Sequence, residues 1–106
     1  MDERLEYADL LLDRAEDRVT RAGKDVHLGP TEYRLLDFLM QRPGRVFSRE
    51  RLLDAVWGPN TYVEVRTVDV HVGRLRKAIN RGQTADPIRT VRGAGYSLDD
   101  RFGRMS

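Results

Sequence analysis

The feature that most constrains the fold is the segment 65–81, VRTVDVHVGRLRKAINR, which as a helix sorts its apolar and basic side chains onto opposite faces. At about 100° per residue, Val68, Val72, Leu75 and Ile79 fall within one narrow stripe. Arg66, Val70, Gly73, Arg74 and Lys77 gather on the far side. A solvated helix ordinarily mixes Glu with Lys or Arg on its outer face to gain i,i+4 pairs, yet the sole acid in this segment is Asp69, at the flank. One face requires a core and the other an anion.

A chain of 106 residues has room for a single core. Its apolar runs, such as 10–12, are far too short to span a membrane, and Met1-Asp2-Glu3-Arg4 lacks the layout of a signal peptide. The absence of cysteine excludes disulfides and thiolate chemistry and suits a cytoplasmic location. Net charge is only +2, so its distribution carries the argument. Residues 1–28 hold eight acids against five bases, whereas residues 66–92 hold seven bases against Asp69 and Asp86. The basic excess is concentrated in one span.

Short pieces at 5–7, 10–13, 18–21 and 24–28, broken by polar turns, predict a small antiparallel meander over about residues 4–28. Three helices follow. Thr31, after Gly29-Pro30, is the expected N-cap of a helix over 31–42 that stops at Arg42-Pro43-Gly44. Ser48 caps a second helix over 48–57, ended by Gly58-Pro59-Asn60. The third covers 65–80, with Asn80 and Gly82 as its exit. A hairpin over 88–98 turns at Gly93-Ala94-Gly95, and residues 99–106 are expected to fray.

Two successive helices, the second basic and amphipathic, followed by a Gly-tipped hairpin carrying Arg89 and Arg92, have the layout of an α+β winged helix-turn-helix. A B-DNA major groove admits one helix, and outward Arg side chains reach phosphates or guanine O6 and N7. Val70 reads either as a thymine-methyl contact or as an ordinary scattered surface apolar. Gly73 costs about 1 kcal/mol relative to Ala inside a helix. It either lets the backbone approach DNA closely or marks a contact this chain does without. His71 and His27 lie in different elements without cysteine, which argues against a metal site. His71 reads either as a residue at the helix flank that touches a phosphate or a neighbouring side chain, or as a half-buried polar residue. No nucleophile motif or phosphate-binding loop is present, so neither an enzyme nor a cofactor is expected. A winged-helix protein-interaction module is the alternative; RNA binding lacks an aromatic stacking platform.

The runs 28–36 (LGPTEYRLL), 45–53 (RVFSRERLL), 56–58 (VWG), 66–71 (RTVDVH), 74–77 (RLRK) and 90–96 (TVRGAGY) together resemble the effector domain of OmpR/PhoB-type response regulators. Within that family the chain is most similar to the phosphate-regulon members, and the likeness covers nearly all of residues 5–98. It implies a DNA-binding transcription factor whose Arg66, Thr67, Val70, His71, Arg74 and Arg76 lie along the major groove, with Lys77 on the same helix. It also implies that Arg92 enters the adjacent minor groove while Thr90 and Gly93 hold the backbone. Gly73 stands where the family pattern has a second arginine, which puts one phosphate contact in doubt.

The loop 57–64 is about eight residues long, against three or four in an ordinary helix-turn-helix. The resemblance makes it a surface for RNA polymerase, with Trp57, Asn60, Val63, Glu64 and nearby Glu50 expected to touch a sigma subunit. Alternatively, Trp57 simply closes the core. The resemblance further implies two copies arranged head to tail on direct repeats of double-stranded DNA. A phosphorylatable receiver domain is expected upstream in the intact protein, because this chain lacks the length and the alternating strand-helix pattern of one.

Overall fold

Residues 3–99 are described by the computed structural model, in the chain order four strands, three helices and a two-stranded hairpin. Strands β1 (Arg4–Tyr7), β2 (Leu10–Asp13), β3 (Arg18–Arg21) and β4 (Lys24–Val26) form an antiparallel meander in sequence order. Its turns follow from local chemistry. Asp13 Oδ1 accepts the N–H groups of Ala15 at 3.0 Å and Glu16 at 3.2 Å, which folds the chain back after β2. The β3–β4 turn places Ala22 (φ 52°) and Gly23 (φ 80°) in the left-handed region, as a two-residue hairpin loop requires. The register sets Leu12 opposite Val19 and Leu10 opposite Arg21, so these four side chains share the buried face.

Helix α1 (Pro30–Gln41) begins one residue earlier than expected, and its N-cap is Gly29 rather than Thr31. Pro30 is the reason: with φ fixed and no N–H to satisfy, it is preorganised for the first helical position and displaces the cap to the residue before it. Strand β4 accordingly stops at Val26 instead of continuing to Leu28, and Leu28 packs against the core. Helix α2 (Arg49–Trp57) starts where Ser48 indicated, the serine side chain accepting from Arg51 N–H at 3.1 Å. Helix α3 (Arg66–Ile79) buries Val68, Val72, Leu75 and Ile79 against Leu35, Leu36 and Leu39 of α1 and Leu52 of α2 in one continuous core. Strands β5 (Ile88–Val91) and β6 (Gly95–Leu98) form the wing, pairing Ile88 with Leu98 and Val91 with Gly95. This is the α+β winged helix-turn-helix that the sequence implied. Asp99, expected to begin a frayed tail, is instead buried, its N–H donating to the Pro87 carbonyl at 2.7 Å; residues 100–106 lie outside the described part.

Two arginines join the sheet to the helices. Arg21 is 4% exposed, and its Nη1 donates to the carbonyl of Ile79 (3.0 Å) and to Asn80 Oδ1 (2.5 Å) at the end of α3. Its Nη2 donates to the Ala85 carbonyl at 2.9 Å, and its Nε to Asp9 Oδ1 at 3.2 Å. A guanidinium at a helix C-terminus satisfies orphan carbonyls and meets the negative end of the helix dipole. The sheet therefore anchors the distal end of α3.

Arg14 grips Asp37 of α1 through two hydrogen bonds, Nε to Oδ2 at 3.0 Å and Nη2 to Oδ1 at 2.6 Å. Burial works to raise the Asp37 pKa, but the Arg14 and Gln41 hydrogen bonds outweigh it and hold the carboxyl below its ordinary value. A depressed carboxylate contributes stability that is present above the unfolded pKa, about 3.9, and is lost as pH falls through the folded one. The difference in melting temperature between the wild type and Asp37→Asn is therefore expected to be constant near neutral pH and to shrink below about pH 4. A gap that stayed constant down to pH 2 would show that the pair contributes nothing through ionisation.

Candidate nucleic-acid interface

The outer face of α3 carries Arg66, Val70, Gly73, Arg74 and Lys77, all exposed, with Val70 at 52%. The buried stripe fixes this orientation, because rolling the helix would drive arginine into the core. Around Gly73 an added Cβ would meet nothing within 4 Å, so packing does not demand a glycine there. Thr67 is half-buried on the flank. Arg74, Lys77 and, in the wing turn, Arg92 form no salt bridge with another described residue, whereas Arg66 Nε lies 2.8 Å from Glu64 Oε2 with both side chains largely in solvent. Exposed cations without salt-bridge partners on the helix face that carries an exposed valine, and in the wing turn, are what a phosphate-bearing duplex would complete.

Not every residue implied by the family resemblance lies on that face. His71 turns inward, its Nδ1 2.5 Å from Glu32 Oε2 of α1 and its ring edge-on to Trp57 at 5.3 Å. It is half-buried at the helix flank and touches a neighbouring side chain. Arg76 turns toward the wing, Nη2 donating to the Ile88 carbonyl at 2.6 Å and Nε facing Asp86 Oδ2 at 3.0 Å. Both positions flank the buried stripe, where helical periodicity alone does not decide which way a long side chain leans.

The wing stands beside α3. Thr90, Arg92 and Gly93 are exposed, and Gly93 adopts φ 77° in the turn, where glycine is favoured. A cleft of about 370 Å³ separates the wing from the start of α2, lined among others by Ser48, Arg49, Asp69, Thr90 and Arg92. Tyr96 crosses its floor, the hydroxyl donating to Asp69 Oδ1 at 2.5 Å, while Arg49 Nη1 donates to Asp69 Oδ2 at 2.9 Å. Burial, followed by the bond to Asp69, pushes the Tyr96 phenol up to about 12, so it remains a donor throughout the neutral range. Among the described residues no group of three His, Asp or Glu side chains forms a metal cluster. No helix among them is long and apolar enough to cross a membrane.

The loop 58–65 divides the residues expected to meet RNA polymerase. Trp57 and Val63 pack against the core, while Asn60 and Glu64 are exposed. Glu50 lies at the opposite end of α2 from the loop and lines the wing cleft, so it does not join the others in one patch. Tyr62, given no role by periodicity, is fully exposed. An aromatic ring held entirely in water within a long loop is the signal that only the structure supplies.

Comparison with known proteins agrees with this architecture. Residues 23–98 match the family described as "Transcriptional regulatory protein, C terminal". The chain is 64% identical over 95 residues to the phosphate regulon transcriptional regulatory protein PhoB of Rhizobium meliloti (strain 1021), covering 90% of this chain and 42% of that protein. It is 49% identical over 102 residues to PhoB of Escherichia coli (strain K12), covering 96% of this chain and 44% of that one. The chain thus spans less than half the length of these relatives. Among solved structures, the DNA-binding domain of Klebsiella pneumoniae RstA in complex with the RstA box superposes with a TM-score of 0.80 at 28% identity, over 93% of this chain and 99% of that one. The DNA-binding domain of the response regulator AdeR, in complex with an intercistronic region, superposes with a TM-score of 0.79 at 32% identity, over 90% and 98% of the two chains. With its three helices, N-terminal sheet and wing, and with a family match over most of its length, the chain belongs to the OmpR/PhoB-type family of transcriptional regulatory C-terminal domains.

Proposed function

We propose that this chain is the output domain of a two-component response regulator, binding double-stranded DNA sequence-specifically and regulating transcription, in the manner of the phosphate-regulon regulators. Helix α3 lies in the major groove and the wing reaches the adjacent minor groove. The observation that carries this reading is the set of exposed cations with no salt-bridge partner among the described residues, Arg74 and Lys77 on the face of α3 that exposes Val70 and Arg92 in the wing turn. Phosphate contacts supply most of the affinity, and base contacts from α3 supply the specificity. The superposition on domains whose structures contain DNA supports it. A single domain of this size reads few base pairs, so two copies bind head to tail on direct repeats about one helical turn apart. In the intact protein an upstream receiver domain controls this pairing. Selection of bound duplexes from a random pool tests the reading: direct repeats are expected, and failure to enrich any sequence would instead favour a protein-docking role.

Exposed Tyr62, with Asn60 and Glu64, supports a second contact surface for the sigma subunit of RNA polymerase. Because Glu64 pairs with Arg66 on the reading face, Glu64→Lys would disturb DNA binding as well, and Tyr62→Ala is the cleaner probe. Tyr62→Ala is expected to reduce transcription from a target promoter several-fold, on the order of the 1–2 kcal/mol carried by one interfacial aromatic, while leaving duplex affinity unchanged. Undiminished transcription would rule out this surface.

A further inference from the structure

Asp69 and Arg76 lie seven residues apart on α3, nearly in line along the flank of the helix that faces the wing. Each grips a different wing strand. Asp69 accepts the Tyr96 hydroxyl of β6 at 2.5 Å, and Arg76 Nη2 donates to the Ile88 carbonyl of β5 at 2.6 Å. Asp69 is itself held by Arg49 from the start of α2, and the Arg76 guanidinium, facing Asp86, sits 5.8 Å from the centre of the Tyr96 ring. Tyr96 is therefore fixed at both ends, its hydroxyl by Asp69 and its ring against Arg76.

We infer that Asp69, Arg76 and Tyr96 form a two-point brace that sets the height and angle of the wing over α3, with Arg76 a positioning residue and not a DNA contact. An isolated two-stranded hairpin is marginal in water, and this one has four-residue strands. Its buried Ile88 and Leu98 hold the base in the core without fixing direction, and the Phe47–Tyr96 backbone bonds tie β6 to the segment before α2 rather than to α3. Hydrogen bonds to charged groups fix direction, and the brace supplies them on both strands. The inference rests on the proposed DNA reading in one respect: wing and helix engage one duplex together only if their separation is set beforehand. A loosened wing lowers the effective concentration of Arg92 at its site while α3 binds as before.

The test has two arms. The chain contains no cysteine, so spin labels placed through Lys77→Cys and Ala94→Cys report the distance from helix to wing tip in the DNA-free protein. Tyr96→Phe, which removes only the hydroxyl, is expected to broaden that distance distribution, and Arg76→Met to do the same through the other strand. In the second arm, affinity is measured for a duplex recovered by the random-pool selection. Arg92→Ala is expected to weaken binding about tenfold in the wild-type background and no more than about twofold alongside Tyr96→Phe. Arg66→Ala should cause equal losses in both backgrounds, and a shrinkage confined to Arg92→Ala is what a general loss of folding would not produce. An unchanged distance distribution, or an Arg92→Ala loss of about tenfold that is the same in both backgrounds, overturns the brace. A broadened distribution with no Arg92→Ala loss in the wild type keeps the brace and overturns the minor-groove contact of the wing.

Discussion

Arg74→Ala is expected to weaken specific duplex binding by about 1–3 kcal/mol, and the double change Arg66→Ala/Arg74→Ala by about twice that, up to about twenty-thousand-fold in affinity. The two positions are eight residues apart, about 12 Å along the helix, which is far enough for their effects to add. Arg74 has no salt-bridge partner among the described residues, so its removal leaves no internal acid uncompensated. Arg66 gives up a solvent-exposed contact with Glu64 to bind, and such pairs contribute little. Arg45→Ala is the control. Arg45 sits outside α3 with its guanidinium 5.2 Å from the centre of the Phe47 ring, and its loss should change affinity little. Fluorescence anisotropy on a labelled duplex across a salt series checks all three, since each lost phosphate contact lowers the slope of log K against log salt by about one. Equal losses for Arg45, Arg66 and Arg74 would refute a localised reading face.

Gly95→Val is expected to destabilise the domain by about 3–5 kcal/mol, which for a chain of this size lowers the melting temperature by roughly 12–30 °C. The cause is local and backbone-deep. Gly95 has φ 143°, and any Cβ there would collide with the Phe47 carbonyl oxygen, lying also 2.7 Å from its carbon and 2.9 Å from Ser48 Cα. That approach exists because Phe47 and Tyr96 exchange backbone hydrogen bonds of 2.8 and 3.0 Å, stitching the wing to the segment that leads into α2. The neighbouring Gly93, with open space around it, should tolerate substitution far better, the strain of its φ of 77° being the main penalty. Thermal denaturation of the two variants side by side checks the contrast. A stable Gly95→Val protein would mean that the stitch is dispensable.

How far these features could be read from the sequence depends on the range of the interactions involved. The buried stripe of α3 recurs with helical period, and the Ser48 cap is a local hydrogen bond, so both are legible in a single chain segment. The cap falls on Gly29 and not on Thr31 because the ring geometry of Pro30 outweighs the side-chain preference of Thr31. The role of Arg21 spans 58 residues to Ile79 and 64 to Ala85, and nothing in its surroundings within β3 points to either. His71 and Arg76 sit at the edges of the helical stripe, where partners on α1 and the wing decide their orientation. The tyrosine at position 62 belongs to no repeating pattern, and its complete exposure emerges only once the loop is folded.

The open space at Gly73 has a practical meaning. In the middle of the outward face of α3, flanked by Val70 and Arg74, the fold leaves one position where an added Cβ meets no atom within 4 Å. Such a position is a natural entry point for engineering. A library confined to residue 73 could recruit Asn or Gln for adenine, or Arg for guanine, and so retarget the domain to new operators while its core and wing stay as they are.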